Sequence, residues 1–136
     1  MKLPVQMMAS FVSVLFIMLI SAGATLTQED ITPKKKLKNA AIVNGRIGGE
    51  SHDSYVIPAT KGRLMTVEIN WTPEGGNSAS FTVSESSNFF SSGPVGFGKE
   101  SDNGKRWTGK VPKTRNYYIY VVAHPVADYK LKVTVR

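Results

Sequence analysis

From Ala40 to Arg136 apolar and polar residues alternate with a period of two, and no stretch keeps a helical period long enough to build a helix. The clearest case is Arg63 to Trp71, where Met65, Val67, Ile69 and Trp71 share one face and Leu64, Thr66, Glu68 and Asn70 the other. The chain closes the same way, with Tyr129, Leu131, Val133 and Val135 set against Lys130, Lys132, Thr134 and Arg136. Between them, Gly104 to Ala123 reads as strand, turn, strand: Trp107 to Val111, then the turn formers Pro112 to Asn116, then Tyr117 to Ala123. Further strands are expected over Ala40 to Ile47, Asp53 to Ala59, Ala79 to Ser84, Val95 to Gly98 and Asp128 to Arg136, with turns at Gly48-Gly49, Thr60-Lys61-Gly62, Pro73 to Gly76 and Ser101 to Gly104. About eight short strands at regular spacing predict an all-β chain, a single β-sandwich of jelly-roll-like form with antiparallel strands.

The first 24 residues stand apart from this pattern. Lys2 precedes an apolar run, Phe11 to Ile20, that is short for a bilayer span, and Ala22-Gly23-Ala24 is a small-x-small site. Residues 1–24 are therefore expected to be a signal peptide, which predicts a periplasmic or secreted protein. Residues 25–39 end in Lys34-Lys35-Lys36-Leu37-Lys38 and are expected to form a basic flexible arm, leaving 40–136 as the sandwich domain. The chain has no cysteine, which excludes a disulfide framework, a thiolate nucleophile and a lipidated N-terminus. Its formal charge of +7 suits an anionic partner, and export makes nucleic acid an unsuitable one.

Catalytic groups are sparse. His52 and His124 are the only histidines, His52 and Asp53 should point to opposite sides of a strand, and no nucleophile elbow, Walker loop or zinc-binding helix motif occurs. Asp102-Asn103-Gly104 has the look of part of a calcium loop, but few other acids accompany it and a plain turn accounts for it. The expectation is a binding protein and not an enzyme, with no cofactor and no metal site.

Two segments carry a family resemblance. Tyr55-Val56-Ile57-Pro58-Ala59-Thr60-Lys61-Gly62-Arg63, followed by Trp107-Thr108-Gly109-Lys110-Val111-Pro112 and Asn116-Tyr117, resembles the bacterial pre-peptidase C-terminal domain, as do the periplasmic inhibitors of goose-type lysozyme. Arg63 stands where that family usually has Gln, and Arg115 where several inhibitors carry the glycine of a Ser-Gly-x-Tyr loop. The resemblance implies the sandwich and, for function, an envelope protein that places a loop in the cleft of a lysozyme. Lys113, Thr114, Arg115, Tyr117, Tyr118 and Tyr120 are the expected partner-binding residues. Tyr117 is better explained as an inward-packing tyrosine at a sandwich corner, and Tyr118 and Tyr120 are equally explained as cross-strand neighbours on the second face of a sheet. The alternative function is a free-standing module that binds glycan or an anionic envelope polymer through the Tyr and Lys/Arg face. One prediction is direct: the exported protein should begin at Thr25, and an intact mass that still includes Met1 would overturn the signal-peptide reading.

Overall fold

The computed structural model describes residues 28–136, so the expected signal peptide lies outside the described residues. Among these described residues nine strands form two sheets. They are β1 (Lys34–Lys36), β2 (Ala40–Gly48), β3 (Asp53–Ala59), β4 (Leu64–Trp71), β5 (Ser78–Ser84), β6 (Lys99–Ser101), β7 (Arg106–Lys110), β8 (Arg115–His124) and β9 (Val126–Val135). One sheet has the order β1-β3-β8-β5 and the other β2-β9-β4-β7-β6. All neighbours are antiparallel except β1 and β3, which run parallel.

The alternation read from the sequence selects the core. Tyr55, Ile57, Tyr117, Ile119 and Val121 point inward from the first sheet, and Met65, Val67, Ile69, Trp107, Leu131 and Val133 from the second. Full burial of each such side chain stabilises the fold by roughly 1.5–3 kcal/mol. Leu64, on the opposite face of β4, is 48% exposed, which agrees with its place in the pattern.

Two expected elements differ. The short strand in the Ser/Gly-rich region is Lys99–Ser101, not Val95 to Gly98. Val95 instead donates its amide to the Val83 carbonyl at 2.9 Å, at the outer edge of β5, and leaves Phe97 against the rings of Trp107 and Tyr117. The second difference lies in the basic arm, where Lys34–Lys36 form β1. The run is held there because Leu37 is buried in the core and its amide donates to Val56 O at 2.8 Å. A single apolar residue within four lysines thus anchors the segment. The hairpin β6–β7 turns through Asp102 and Asn103, with φ of 54° and 53°, as the Asp-Asn-Gly signal predicts.

A polar chain crosses between the sheets. Tyr129 of β9 donates its hydroxyl to the Asp53 carboxylate of β3, and the Tyr55 hydroxyl, also on β3, meets the Tyr129 hydroxyl. Since the carboxylate only accepts, the proton on Tyr129 is committed to Asp53 and Tyr55 must be the donor to Tyr129. Burial first, then the bonds to Asp53 and Tyr55, raise the Tyr129 hydroxyl pKa far above the ordinary tyrosine value. Gly45, paired with Tyr129 across β2–β9, leaves room for this ring: a Cβ there would lie 2.5 Å from the Tyr129 ring carbon and hydroxyl. Because that hydroxyl is tied to two partners, the ring cannot swing aside without breaking them. Gly45→Ala should therefore destabilise the protein by roughly 1–3 kcal/mol, measured as a lower urea midpoint at unchanged m-value.

Candidate functional site

One end of the sandwich collects the connection between β7 and β8 (residues 111–114), the turn at 60–63 between β3 and β4, and the chain leaving β5. Val111 is buried and doubly bonded to the neighbouring turn: its carbonyl accepts from Gly62 N and its amide donates to Arg63 O, each at 2.8 Å. Thr114 Oγ1 accepts from the Lys61 amide at 2.9 Å. The Tyr117 hydroxyl donates to the Lys113 carbonyl at 2.9 Å, from a side chain that is wholly buried. The tip Pro112-Lys113-Thr114 is thus fastened on both sides while its own side chains stay exposed.

Arg115 does not project freely. Its guanidinium donates to Glu85 O at 2.7 Å, Glu85 Oε2 at 3.2 Å and Asn116 O at 3.2 Å, and it lies 5.8 Å from the centre of the Tyr117 ring. The Arg115 side chain therefore ties the β8 entrance to the end of β5. Lys113, by contrast, has no ion-pair partner among the described residues. Beside the tip runs a shallow cleft of about 520 Å³ lined by Asn39, Pro58, Ala59, Thr60, Thr114, Arg115 and Asn116.

The tyrosines divide. Tyr117 faces the core, and Tyr118 lies half-buried on the outer face of the first sheet. Tyr120 also points outward, but it is only 1% exposed and is withdrawn from the candidate surface. A further layer covers it. The Phe89 ring lies 5.5 Å from the Tyr120 ring, the His52 ring stacks on Phe89 at 3.8 Å, and the Tyr120 hydroxyl donates to Ser86 O at 2.6 Å. Burial first, with the charges of Asp30 and Tyr118, pushes the Tyr120 hydroxyl up to about 12.

Asp30 fastens this cover, and nothing in the local sequence signals it. Its carboxylate accepts from the amides of Thr32 (3.0 Å) and Phe89 (3.2 Å), lies 3.1 Å from His52 Nε2 and 3.7 Å from Lys34 Nζ, and its side chain is 1% exposed. Asn88 adds a bond from Nδ2 to Gln28 O at 3.0 Å. His52 is therefore packed into the cover, Asp53 faces the interior, and His124 is exposed elsewhere, so the histidines are not brought together. No serine hydroxyl bonds to either histidine, and no group of three His, Asp or Glu that could hold a metal ion occurs among the described residues. A second cleft, of about 550 Å³, lies toward the opposite end near Asn44, Asn70, Trp71 and Lys130.

Comparison with known proteins supports the fold. No protein-family model and no curated protein matches the chain. Among solved structures it is similar to the PliG periplasmic inhibitor of g-type lysozyme from Aeromonas hydrophila, with a TM-score of 0.62 at 19% identity over 76% of this chain and 96% of that one. PliG from Salmonella Typhimurium gives 0.51 at 18% identity over 76% and 98%. The pre-peptidase C-terminal domain of a Bacillus anthracis collagenase gives 0.53 at 16% identity over 80% and 100%. The chain shares their sandwich fold.

The Asp30 geometry has a pH consequence. Burial alone would raise its carboxyl pKa, but the amide bonds from Thr32 and Phe89, the Thr32 hydroxyl and the charge of His52 outweigh it and hold the carboxyl at about 2 against an ordinary 3.8. A folded pKa below the unfolded one adds stability above the unfolded value, and this is lost as pH falls from about 4 toward 2. The contribution is on the order of 2 kcal/mol. In urea titrations at pH 5 and pH 2.5, Asp30→Asn should be the less stable protein at pH 5 and lose about that much less than wild type on acidification.

Proposed function

We propose that this is an exported binding protein of the bacterial envelope that inhibits a wall-degrading lysozyme by seating the 111–114 loop in the enzyme's cleft. The observation that carries the reading is the braced tip: Tyr117 and Thr114 fix its backbone while Lys113 remains exposed and unpaired among the described residues. A tip ordered before binding gives up little conformational entropy on entering a cleft. Lys113 is then the cation for the enzyme's catalytic carboxylate, and Arg115, engaged by Glu85, supports the loop from behind. The fold likeness to periplasmic lysozyme inhibitors supports this choice of partner, and a periplasmic or secreted location goes with it. The alternative module that would bind glycan through Tyr118 and Tyr120 has less support, because the second ring lies under Phe89 and His52.

The test is clearing of cell-wall suspensions by goose-, invertebrate- and chicken-type lysozymes with the protein present. Inhibition of one type at near-stoichiometric protein is expected. Lys113→Ala should weaken it by roughly 10- to 100-fold, the size of a lost charge-assisted hydrogen bond. Tyr117→Phe, which releases only the Lys113 carbonyl, should weaken it less. Full inhibition by Lys113→Ala, or no inhibition of any type by the wild type, would overturn the proposal.

A further inference from the structure

The outer face of the five-stranded sheet holds most of the protein's excess charge. Strand register places Arg46, Lys99, Arg106, Lys110, Lys130, Lys132 and Arg136 on it, against only Asp128 and Glu68. Seven cations against two acids leave five of the chain's net seven positive charges on this one surface. Both acids are already occupied: Asp128 by Arg46 at 2.6 Å, and Glu68 by Arg106 at 2.7 Å and Lys132 at 3.9 Å. Lys99, Lys110, Lys130 and Arg136 have no ion-pair partner among the described residues.

The charges are spread over the breadth of the sheet, from β2 to β6, with neighbouring strands about 4.8 Å apart, and do not line a groove. Among the described residues no aromatic side chain belongs to this face, so it offers no platform for stacking bases or sugar rings. Two exposed apolar side chains do belong to it, Ile42 (62% exposed) and Leu64 (48%). Ile42 also borders a shallow depression of about 310 Å³ lined by Ala40, Ala41, Lys132 and Thr134. A broad cationic plane with a few apolar projections is complementary to a layer of acidic headgroups over hydrocarbon.

We propose that this face docks the protein on a membrane surface rich in anionic, phosphate-bearing lipid headgroups. The Lys113 loop leaves the strand ends, at the rim of the face and not on it, so docking keeps the loop accessible. The surface does not depend on the inhibitor reading, and each can fail alone.

The test is co-sedimentation of the chain with vesicles of phosphatidylcholine alone or mixed with phosphatidylglycerol. Two variants lose the same charge: Lys99→Gln/Lys110→Gln/Lys130→Gln/Lys132→Gln on the face, and Lys35→Gln/Lys36→Gln/Lys38→Gln/Lys61→Gln away from it. Wild type should bind the acidic vesicles and not the neutral ones, and release them as salt rises. The face variant should lose at least about 100-fold in partitioning, and the matched variant far less. Equal losses in the two variants would mean net charge alone and would overturn the assignment to this face. Absence of vesicle binding, or binding of single-stranded DNA in its place, would overturn the lipid partner.

Discussion

The structure depends on how its two sheets are joined by the Tyr55–Tyr129–Asp53 chain. An apolar interior alone tolerates sliding, because Val, Ile and Leu side chains attract without direction. A carboxylate that must accept, a tyrosine committed to it and a second tyrosine that must donate allow one arrangement of β3 against β9. Each buried group would be left unsatisfied by a shift of either strand, and an unmet buried hydrogen bond costs roughly 1–3 kcal/mol. The absence of a side chain at Gly45 belongs to the same arrangement, since it makes the space into which the Tyr129 ring packs.

With that register set, the two outer faces take opposite fates. The first sheet is covered by residues 28–33 and 86–92, closed through Asp30, His52 and Phe89. The second sheet carries Lys and Arg across its breadth, and the cations outnumber the acids beside them. Electrostatics accounts for part of the contrast: the desolvated Asp30 carboxylate is stabilised by two amides and a histidine, whereas a layer packed over the second sheet would have to bury several unpaired cations. The chain that closes over one sheet thereby leaves the other available to a partner.

The fold was largely legible because period-two alternation reports which way a strand side chain points. It does not report what lies above. Tyr120 points outward, as its place after Tyr117 and Ile119 implies, and is nevertheless buried, because its cover comes from residues about 30 and 70 positions earlier in the chain. Lys34–Lys36 escaped notice for a related reason. Like charges argue against regular structure in isolation, and the strand forms through Leu37, whose amide bonds the distant Val56, and through Asp30, which joins neighbouring Lys34 to the distant His52 and Phe89. The turn after Val111 was readable from Pro112, since turn chemistry is local, but it ends at Thr114, and Asn116 lies within β8, paired with Pro58.

The loop's division of labour was not local. Arg115 has the features of an interface residue when read in sequence: a long cation in a turn, next to aromatics. Its binding capacity is instead taken up at home by the Glu85 carbonyl and carboxylate and the Asn116 carbonyl. An interfacial role for it would require breaking charge-assisted bonds to make similar ones, a near-neutral exchange. Lys113 has no such bonds to give up, and its carbonyl is the group that Tyr117 holds. Arg115 thus braces the entrance to β8, and Lys113 is the loop cation left without an ion-pair partner among the described residues.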